Sequence, residues 1–346
     1  MITLHVTHPA CERHAPGLGH PERPERLRAV LRAIDESGLT DQVRTVEAPA
    51  VDERLLAAVH DGAYVARIEA LARQGGGWLD PDTRVGPDSA VAAMHAAGAA
   101  QRAAEALCAG QAMRAFVTVR PPGHHALPDR GMGFCLFNNA ALAAVAARHA
   151  GRQRVMIVDW DVHHGNGTQA VFWRDPSVLV VSLHQEFWYP GTGAVDEIGE
   201  GAGEGFTVNV PLPAETGNAG YEAAFAGVVL PLVSAFGPDF VVISAGYDGH
   251  FADPLGGMVL TARGYGRLAR LLDDAVRPRE TPVLAVLEGG YDLDALGASV
   301  VATLEVLTEH TAWIAPDEDV PAEVPAALVQ ARIRDVQERL RPFWRL

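Results

Sequence analysis

Five short apolar runs punctuate the chain: AFVTV at 115–119, RVMIV at 154–158, VLVVSL at 178–183, DFVVIS at 239–244 and PVLAVL at 282–287. Each is apolar on both sides of the strand period, as in parallel strands covered on both faces. Alanine-rich stretches of helical length lie between them, at 89–109, 138–150, 219–236 and 261–276. Strand alternating with helix predicts an α/β fold on a parallel sheet. No Pro/Gly/Ser-rich boundary divides the strands, which predicts one domain. Long Gly-rich loops at 185–205 and 247–257 are of the kind that carry function. PDEDVPAEVP at 316–325 breaks the pattern, and a last helix follows. Its Val329, Ile333, Val336 and Leu340 fall at helical spacing. That stripe either packs on the parent domain or contacts another subunit. The expected layout is a catalytic domain over 1–315 and a C-terminal extension over 316–346.

Composition narrows the function. The chain has 346 residues, 48% of them hydrophobic and 21% charged, enough for a sizeable core and unlike a disordered chain. A formal net charge of −15 argues against direct nucleic-acid binding, which needs clustered Lys and Arg. It would mildly steer cationic substrates, although solubility is the plainer reason for an acidic surface. Cys11, Cys108 and Cys135 form no CxxC pair, which predicts a reducing, cytoplasmic setting. MITLHVTHPACERH lacks the apolar core of a signal peptide, and no apolar run was expected to reach the ~20 residues of a membrane span.

The chemistry lies where the strands end. AFVTV leads into RPPGHH, with His124 and His125; RVMIV leads into DWDVHH; VLVVSL leads into His184; FVVIS leads into AGYDGH, with Asp248; PVLAVL leads into EGGY, with Tyr291. Ligands of open α/β sheets bind outside the carboxyl ends of the strands. A single histidine there is most simply a satisfied core or loop residue, but five polar strand ends together are not a coincidence of that kind. Residues i and i+2 of extended chain share a side, so Asp159, Asp161 and His163 face one way and Trp160, Val162 and His164 the other. Asp161 and His163 can therefore chelate one cation, with Asp248 as a third ligand. Two carboxylates and one imidazole leave a position for water, as catalytic sites do. The set suits Zn²⁺ and leaves Fe²⁺, Co²⁺ and Mn²⁺ open; an ion-pair network is the alternative. Adjacent His124 and His125 must separate in proton affinity, so one can serve as general base. Tyr291 can donate to a developing oxyanion. Together these groups point to metal-assisted hydrolysis of an amide.

These residues match a known pattern. HPERPERL at 20–27, RPPGHHA at 120–126, GMGFCLFNN at 131–139, DWDVHHGNGTQ at 159–169, SLHQ at 182–185, SAGYDGHFADPLGG at 244–257 and EGGYD at 288–292 occur in one order. Over roughly residues 1–310 the chain resembles the zinc-dependent histone deacetylase family, which includes bacterial deacetylase-like amidohydrolases and acetylpolyamine amidohydrolases. The HGNG and EGGY forms resemble its class II branch. The resemblance implies a three-layer arginase-deacetylase fold with an eight-stranded parallel sheet flanked by helices. It implies Zn²⁺ on Asp161, His163 and Asp248, and His124 and His125 as the catalytic pair, with His125 the general base and acid. Asp159 would hydrogen-bond His124, Asn166 would orient His125, and Tyr291 would polarise the carbonyl. Some relatives carry His in place of that Tyr and are nearly inactive, so a competent enzyme is expected here. A structural K⁺ is implied near Asp159, Asp161, His163, Ser182 and Leu183. Phe134 and Tyr189 match two aromatic walls of a substrate tunnel, the second usually Phe, with Gly133 beside them. Arg26 matches a residue lining the acetate-release channel and Asp82 a rim residue that grips substrate; His184 is read as structural.

Substrate preference is read from Leu255, where polyamine-selective eukaryotic relatives carry Glu. This favours an acyl-lysine-like small-molecule or peptide substrate. An acetylpolyamine amidohydrolase remains the alternative, with Glu186, Asp253 and Asp82 as candidate acids at the tunnel mouth. A manganese ureohydrolase would need more Asp ligands, and a non-catalytic binding module would not need Tyr291. No membrane partner is expected, and a homo-oligomer is compatible with the chain.

Overall fold

Along Val155–Asp159, Met156 and Val158 enter one apolar layer while Val155 and Ile157 enter a second. The same alternation holds in Phe240–Ala245 and Val283–Leu287, so the sheet needs cover on both faces. The computed structural model describes residues 2–310 and 320–346. Its strands are β1 (Thr3–Thr7), β2 (Val43–Glu47), β3 (Gly77–Trp78), β4 (Arg84–Val85), β5 (Arg114–Val117), β6 (Val155–Asp159), β7 (Val178–Gln185), β8 (Thr207–Leu212), β9 (Phe240–Ala245) and β10 (Val283–Leu287). The α-helices are α1 (Pro24–Glu36), α2 (Glu53–Ala57), α3 (Gly62–Arg73), α4 (Ser89–Cys108), α5 (Asn139–His149), α6 (Asn166–Phe172), α7 (Asn218–Ala224), α8 (Leu230–Phe236), α9 (Ala262–Val276), α10 (Leu293–Thr308) and α11 (Ala326–Leu340).

Eight strands form one parallel sheet in the order β2-β1-β5-β10-β9-β6-β7-β8; β3 and β4 make a separate antiparallel ribbon. The five apolar runs are β5, β6, β7, β9 and β10. The runs missed β1, β2 and β8, whose sequences mix in polar residues: TLHVT, VRTVE and TVNVPL. β2 and β8 are the two edges, where polar residues and Pro211 are tolerated. Helices α1, α7–α11 cover one face and α2–α5 the other, giving three layers. Helices α1, α2, α3, α6 and α10 also lie outside the stretches that the pattern marks as helical.

The expected boundary at 315/316 lies outside the described residues. The last helix forms, and its stripe of Val329, Ile333, Val336 and Leu340 is buried in the parent core rather than left for a subunit contact. Between α7 and α8 the helix widens to a π turn, Phe225–Val229. Gly227 there lets α11 approach: a Cβ would stand 2.7 Å from the Ile333 side chain, and the Gly227 carbonyl accepts from Gln337 at 2.8 Å. The whole run 218–236 is long and apolar enough to cross a membrane by length and composition, contrary to the expectation that none is. It is amphipathic in use, with 50% of its apolar window buried inside the fold.

The four central strands, β5, β10, β9 and β6, are neighbours in space though scattered in sequence. Their carboxyl ends carry most of the chemical residues singled out above. Ile333→Ala would leave a void against Gly227 and is expected to destabilise the chain by about 2–4 kcal/mol. Equilibrium urea unfolding followed by circular dichroism checks this.

Candidate active site

Asp161 and His163 follow β6 and Asp248 follows β9, the strand beside it. One ligand atom from each lies within 4.8 Å of the others. His163 Nδ1 is 3.0 Å from Asp161 Oδ1 and 3.1 Å from Asp248 Oδ2. The remaining carboxylate oxygens are held by backbone donors: Gly289 N–H reaches Asp161 Oδ2 at 2.9 Å, and Val162 N–H reaches Asp248 Oδ1 at 2.9 Å. The cradle is closed by two glycines. A Cβ on Gly246 would fall 2.0 Å from Asp161 Oδ2, and one on Gly289 2.0 Å from Asp248 Oδ2. Burial opposes ionisation, yet hydrogen bonds to the two carboxylates hold His163 up to about 10. Two buried carboxylates this close need positive charge between them; the O,O,N donor set fits a divalent metal, which would take the place of the proton on His163 Nδ1.

The side-by-side histidines differ as their partners differ. His124 Nδ1 is 2.9 Å from Asp159 Oδ2, and its Nε2 is 3.7 Å from Asp161 Oδ1. Burial alone would lower its proton affinity, but Asp161 and Asp159 raise it well above the ordinary value. His125 Nδ1 meets the neutral Asn166 Oδ1 at 2.7 Å. Burial, then the charges of His124 and His163, push it well below the ordinary value. The two imidazoles are thus pushed in opposite directions although only 4.0 Å separates their ring centroids. Asp159 also accepts from Asp161 N–H at 3.0 Å, so it supports both the pair and the ligand turn.

Tyr291, after β10, keeps its proton: burial raises it well above the usual phenol value, against the opposing Arg26 charge. The Arg26 guanidinium lies 4.7 Å from the Tyr291 ring centre and donates to Gly290 O at 2.5 Å and Glu288 O at 2.6 Å. Far from a surface charge, Arg26 is fully buried and fixes the turn that presents the phenol. Phe134 meets Tyr291 edge-on at 5.7 Å, and Tyr189 meets His125 at 5.1 Å and His163 at 6.0 Å. Two aromatic rings thus flank His125, His163 and Tyr291. Gly133 has φ +55°, and a Cβ there would strike the His125 ring at 2.3 Å. Asp82 accepts from Gly133 N–H at 3.1 Å, beside Phe134. Burial and the charges of Asp82 and Asp80 hold the proton on Tyr189. Leu255 is half-buried, and its carbonyl accepts from the Trp188 indole at 2.9 Å.

Other expected residues fall in supporting places. Ser182 is in register with Asp159 across the β6–β7 pair, but its hydroxyl contacts His184 Nδ1 at 3.0 Å. Leu183 points its side chain into the core. His164 faces away from the ligands, as the i,i+2 parity predicts, and meets Thr192 and Gln169. The candidate tunnel-mouth acids need correction. Asp253 is 6% exposed and accepts from Leu255, Tyr291 and Asp292 backbone N–H groups; Glu186 pairs with Arg332 of α11 at 2.8 Å. Asp253 is a brace for Tyr291, and burial followed by Asp248 raises it to about 7. The sequence reading gave no role to Glu288 or Glu22. Both lie inside motifs already quoted, EGGYD and HPERPERL; for Glu288, an acid directly after an apolar strand was the available signal.

The family model described as histone deacetylase domain matches residues 20–307. The chain is 41% identical over 331 residues to histone deacetylase 15 of Arabidopsis thaliana, covering 94% of this chain and 59% of that one. It is 41% identical over 294 residues to the histone deacetylase-like amidohydrolase of Pseudomonas aeruginosa, covering 84% and 77%. It is 41% identical over 297 residues to a probable deacetylase of Archaeoglobus fulgidus, covering 85% and 82%. The crystal structure of the HDA15 HD domain superposes with a TM-score of 0.92 at 39% identity, covering 99% of this chain and 96% of that one.

Gly289→Ala should weaken divalent-metal binding by at least about tenfold, the scale seen when groups around ligands are disturbed. Metal per chain after dialysis against a graded chelator measures it; unchanged retention would contradict the cradle.

Proposed function

The chain belongs to the histone deacetylase family and is a hydrolase acting on amide bonds, and on that premise we propose that it uses zinc to remove acetyl or other acyl groups from the side-chain amine of acyl-lysine or a related acylated amine. The observation that carries this reading is the geometry of two adjacent histidines, one on the Asp159 carboxylate and the other on the neutral Asn166 carboxamide, beside a three-ligand cluster, with the buried Tyr291 following the neighbouring strand. Asp161, His163 and Asp248 would hold the ion. When bound, zinc supplies Lewis acidity to the amide carbonyl and to the attacking water.

The chain's own groups do the rest. Neutral His125 takes the proton of the attacking water and returns it to the leaving amine. Asn166 fixes the His125 tautomer without charging it, because a carboxamide oxygen accepts from Nδ1–H and leaves Nε2 as the base. Asp159 favours the charged form of His124, which in that form adds positive potential where negative charge develops. Tyr291 donates its hydroxyl to the oxyanion. Phe134 and Tyr189 strip water from an alkyl chain lying between them.

An acyl-lysine-like substrate is preferred to an acetylpolyamine because the candidate acids have other partners. Glu186 is paired with Arg332, Asp253 is buried under Tyr291, and Asp82 holds Gly133. We also propose a potassium ion beside Asp159, Asp161, His163, Ser182 and the Leu183 main chain; the β6–β7 register, which sets Ser182 next to Asp159, supports it. Three unpaired cysteines support a reducing, cytoplasmic location.

Tyr291→Phe should lower kcat on an acetyl-lysine peptide by about 10²–10³-fold, as loss of one oxyanion donor does, with metal content unchanged. Near-parental turnover would remove its assigned role. Leu255→Glu should shift the ratio of kcat/KM toward acetylated polyamines and away from acetyl-lysine peptides. The same panel, extended to longer acyl-lysines, ranks the substrates of the parent enzyme; a parent that prefers acetylpolyamines would overturn the acyl-lysine reading.

A further inference from the structure

Glu288 is the first residue after β10 and is completely buried. Both of its carboxylate oxygens are engaged. Oε2 accepts from Gly123 N–H at 2.6 Å and His124 N–H at 3.1 Å, and Oε1 accepts from the Ser244 hydroxyl at 3.0 Å. Those donors belong to the loop after β5 and to β9, the two strands that flank β10. One side chain therefore ties three adjacent strand ends together. Its main chain extends the tie. Its N–H donates to Ala245 O at 3.0 Å, its carbonyl accepts from Arg26 at 2.6 Å, and three residues on stands Tyr291.

Packing alone does not call for this residue. β10 is apolar and buried throughout, and the site already contains the carboxylates of Asp159, Asp161 and Asp248. Burying a fourth is costly, and burial raises Glu288 to about 7. An apolar side chain would fill the strand end without that cost. It would also leave the Gly123 and His124 N–H groups without their acceptor, inside a loop that carries the two histidines.

We propose that Glu288 is a positioning residue for amide hydrolysis, holding the His124–His125 loop in register with the Tyr291 turn so that base and phenol reach the same carbonyl. The proposal rests on the reading of His125 and Tyr291 as catalytic groups. Hydrogen-bond acceptance is what positions the loop, so Gln should substitute for Glu. Its amide oxygen can accept from Gly123 and His124 while its NH₂ donates to the Ser244 hydroxyl.

The test compares Glu288→Ala, Glu288→Gln and Tyr291→Phe in the full chain on an acetyl-lysine peptide, with rates expressed per folded, metal-loaded chain. Glu288→Ala should lower kcat by about 10- to 100-fold, the scale of a small misplacement of reacting groups, with KM within about threefold. Glu288→Gln should recover most of that loss. A Glu288→Ala enzyme that melts earlier but keeps its kcat overturns the positioning role. Equal losses in the Ala and Gln variants overturn it too, because charge would then be what matters. An inactive Tyr291→Phe beside a fully active Glu288→Ala removes only the positioning role, whereas an active Tyr291→Phe removes the catalytic reading beneath it. If Glu288→Ala does not fold, Glu288→Asp carries the test, since it keeps the carboxylate but draws it back from the Gly123 and His124 N–H groups. A lowered kcat at constant KM supports the proposal, and an unchanged kcat overturns it.

Discussion

The crowding of buried carboxylate is the constraint from which the rest of the site follows. Asp159, Asp161, Asp248 and Glu288 lie at the ends of three adjacent strands, each essentially without solvent exposure. Like charges in a dry interior are tolerated only where something answers them. Backbone N–H groups answer part: Asp161, Val162, His163 and Gly289 each donate to one of the three aspartates, and Gly123 and His124 donate to Glu288. Imidazoles answer another part, His124 on Asp159 and His163 between Asp161 and Asp248. A dication at the Asp161–His163–Asp248 cluster would answer the remainder. Glycine at 246 and 289 is then a steric necessity, since any side chain there would occupy the space of the carboxylate oxygens.

The same crowding divides the labour between His124 and His125. The two are chain neighbours and equally buried, so intrinsic chemistry cannot distinguish them. Their Nδ1 partners do. A carboxylate on His124 favours its charged form, and charge there lowers the proton affinity of the next ring. The neutral carboxamide of Asn166 orients His125 without reversing this. A carboxylate in that place would pull His125 toward the charged form and blunt its capacity to accept a proton.

How far the sequence exposed this is a matter of which contacts are local. The central strands were legible because both their faces are apolar, and Asp161, His163 and His164 could be sorted by side because i,i+2 parity is local geometry. Strands β1, β2 and β8 were hidden by polar residues such as His5, Arg44 and Asn209. The seven motifs in order supplied the eight-stranded fold that periodicity could not, and the HDA15 HD domain superposition agrees with it. Asp253 and Glu186 misled for a different reason. An acid in a Gly-rich loop reads as exposed, and only the fold reveals that one lies beneath Tyr291 and the other against Arg332, 146 residues away. Long-range partners of that kind leave no trace in local pattern.

Arg26 shows the same point at the opposite sign. Two guanidiniums, Arg26 and Arg120, are fully buried on either side of Glu22, with His14 against the same carboxylate. Two cations against one anion leave positive potential, and the spare N–H groups are satisfied by carbonyls of Cys11, His14, Glu288 and Gly290. That potential reaches the Tyr291 ring from Arg26, while Asp248 and Asp161 act on the phenol with negative charge. The net effect holds the proton on the phenol, because burial and the aspartates outweigh the guanidinium. A hydroxyl in that condition keeps its proton in the resting enzyme and stays available as a hydrogen-bond donor, the state an oxyanion donor needs. The cationic network behind the turn and the anionic one at the ligands are thus two halves of one electrostatic arrangement, with Tyr291 at their junction.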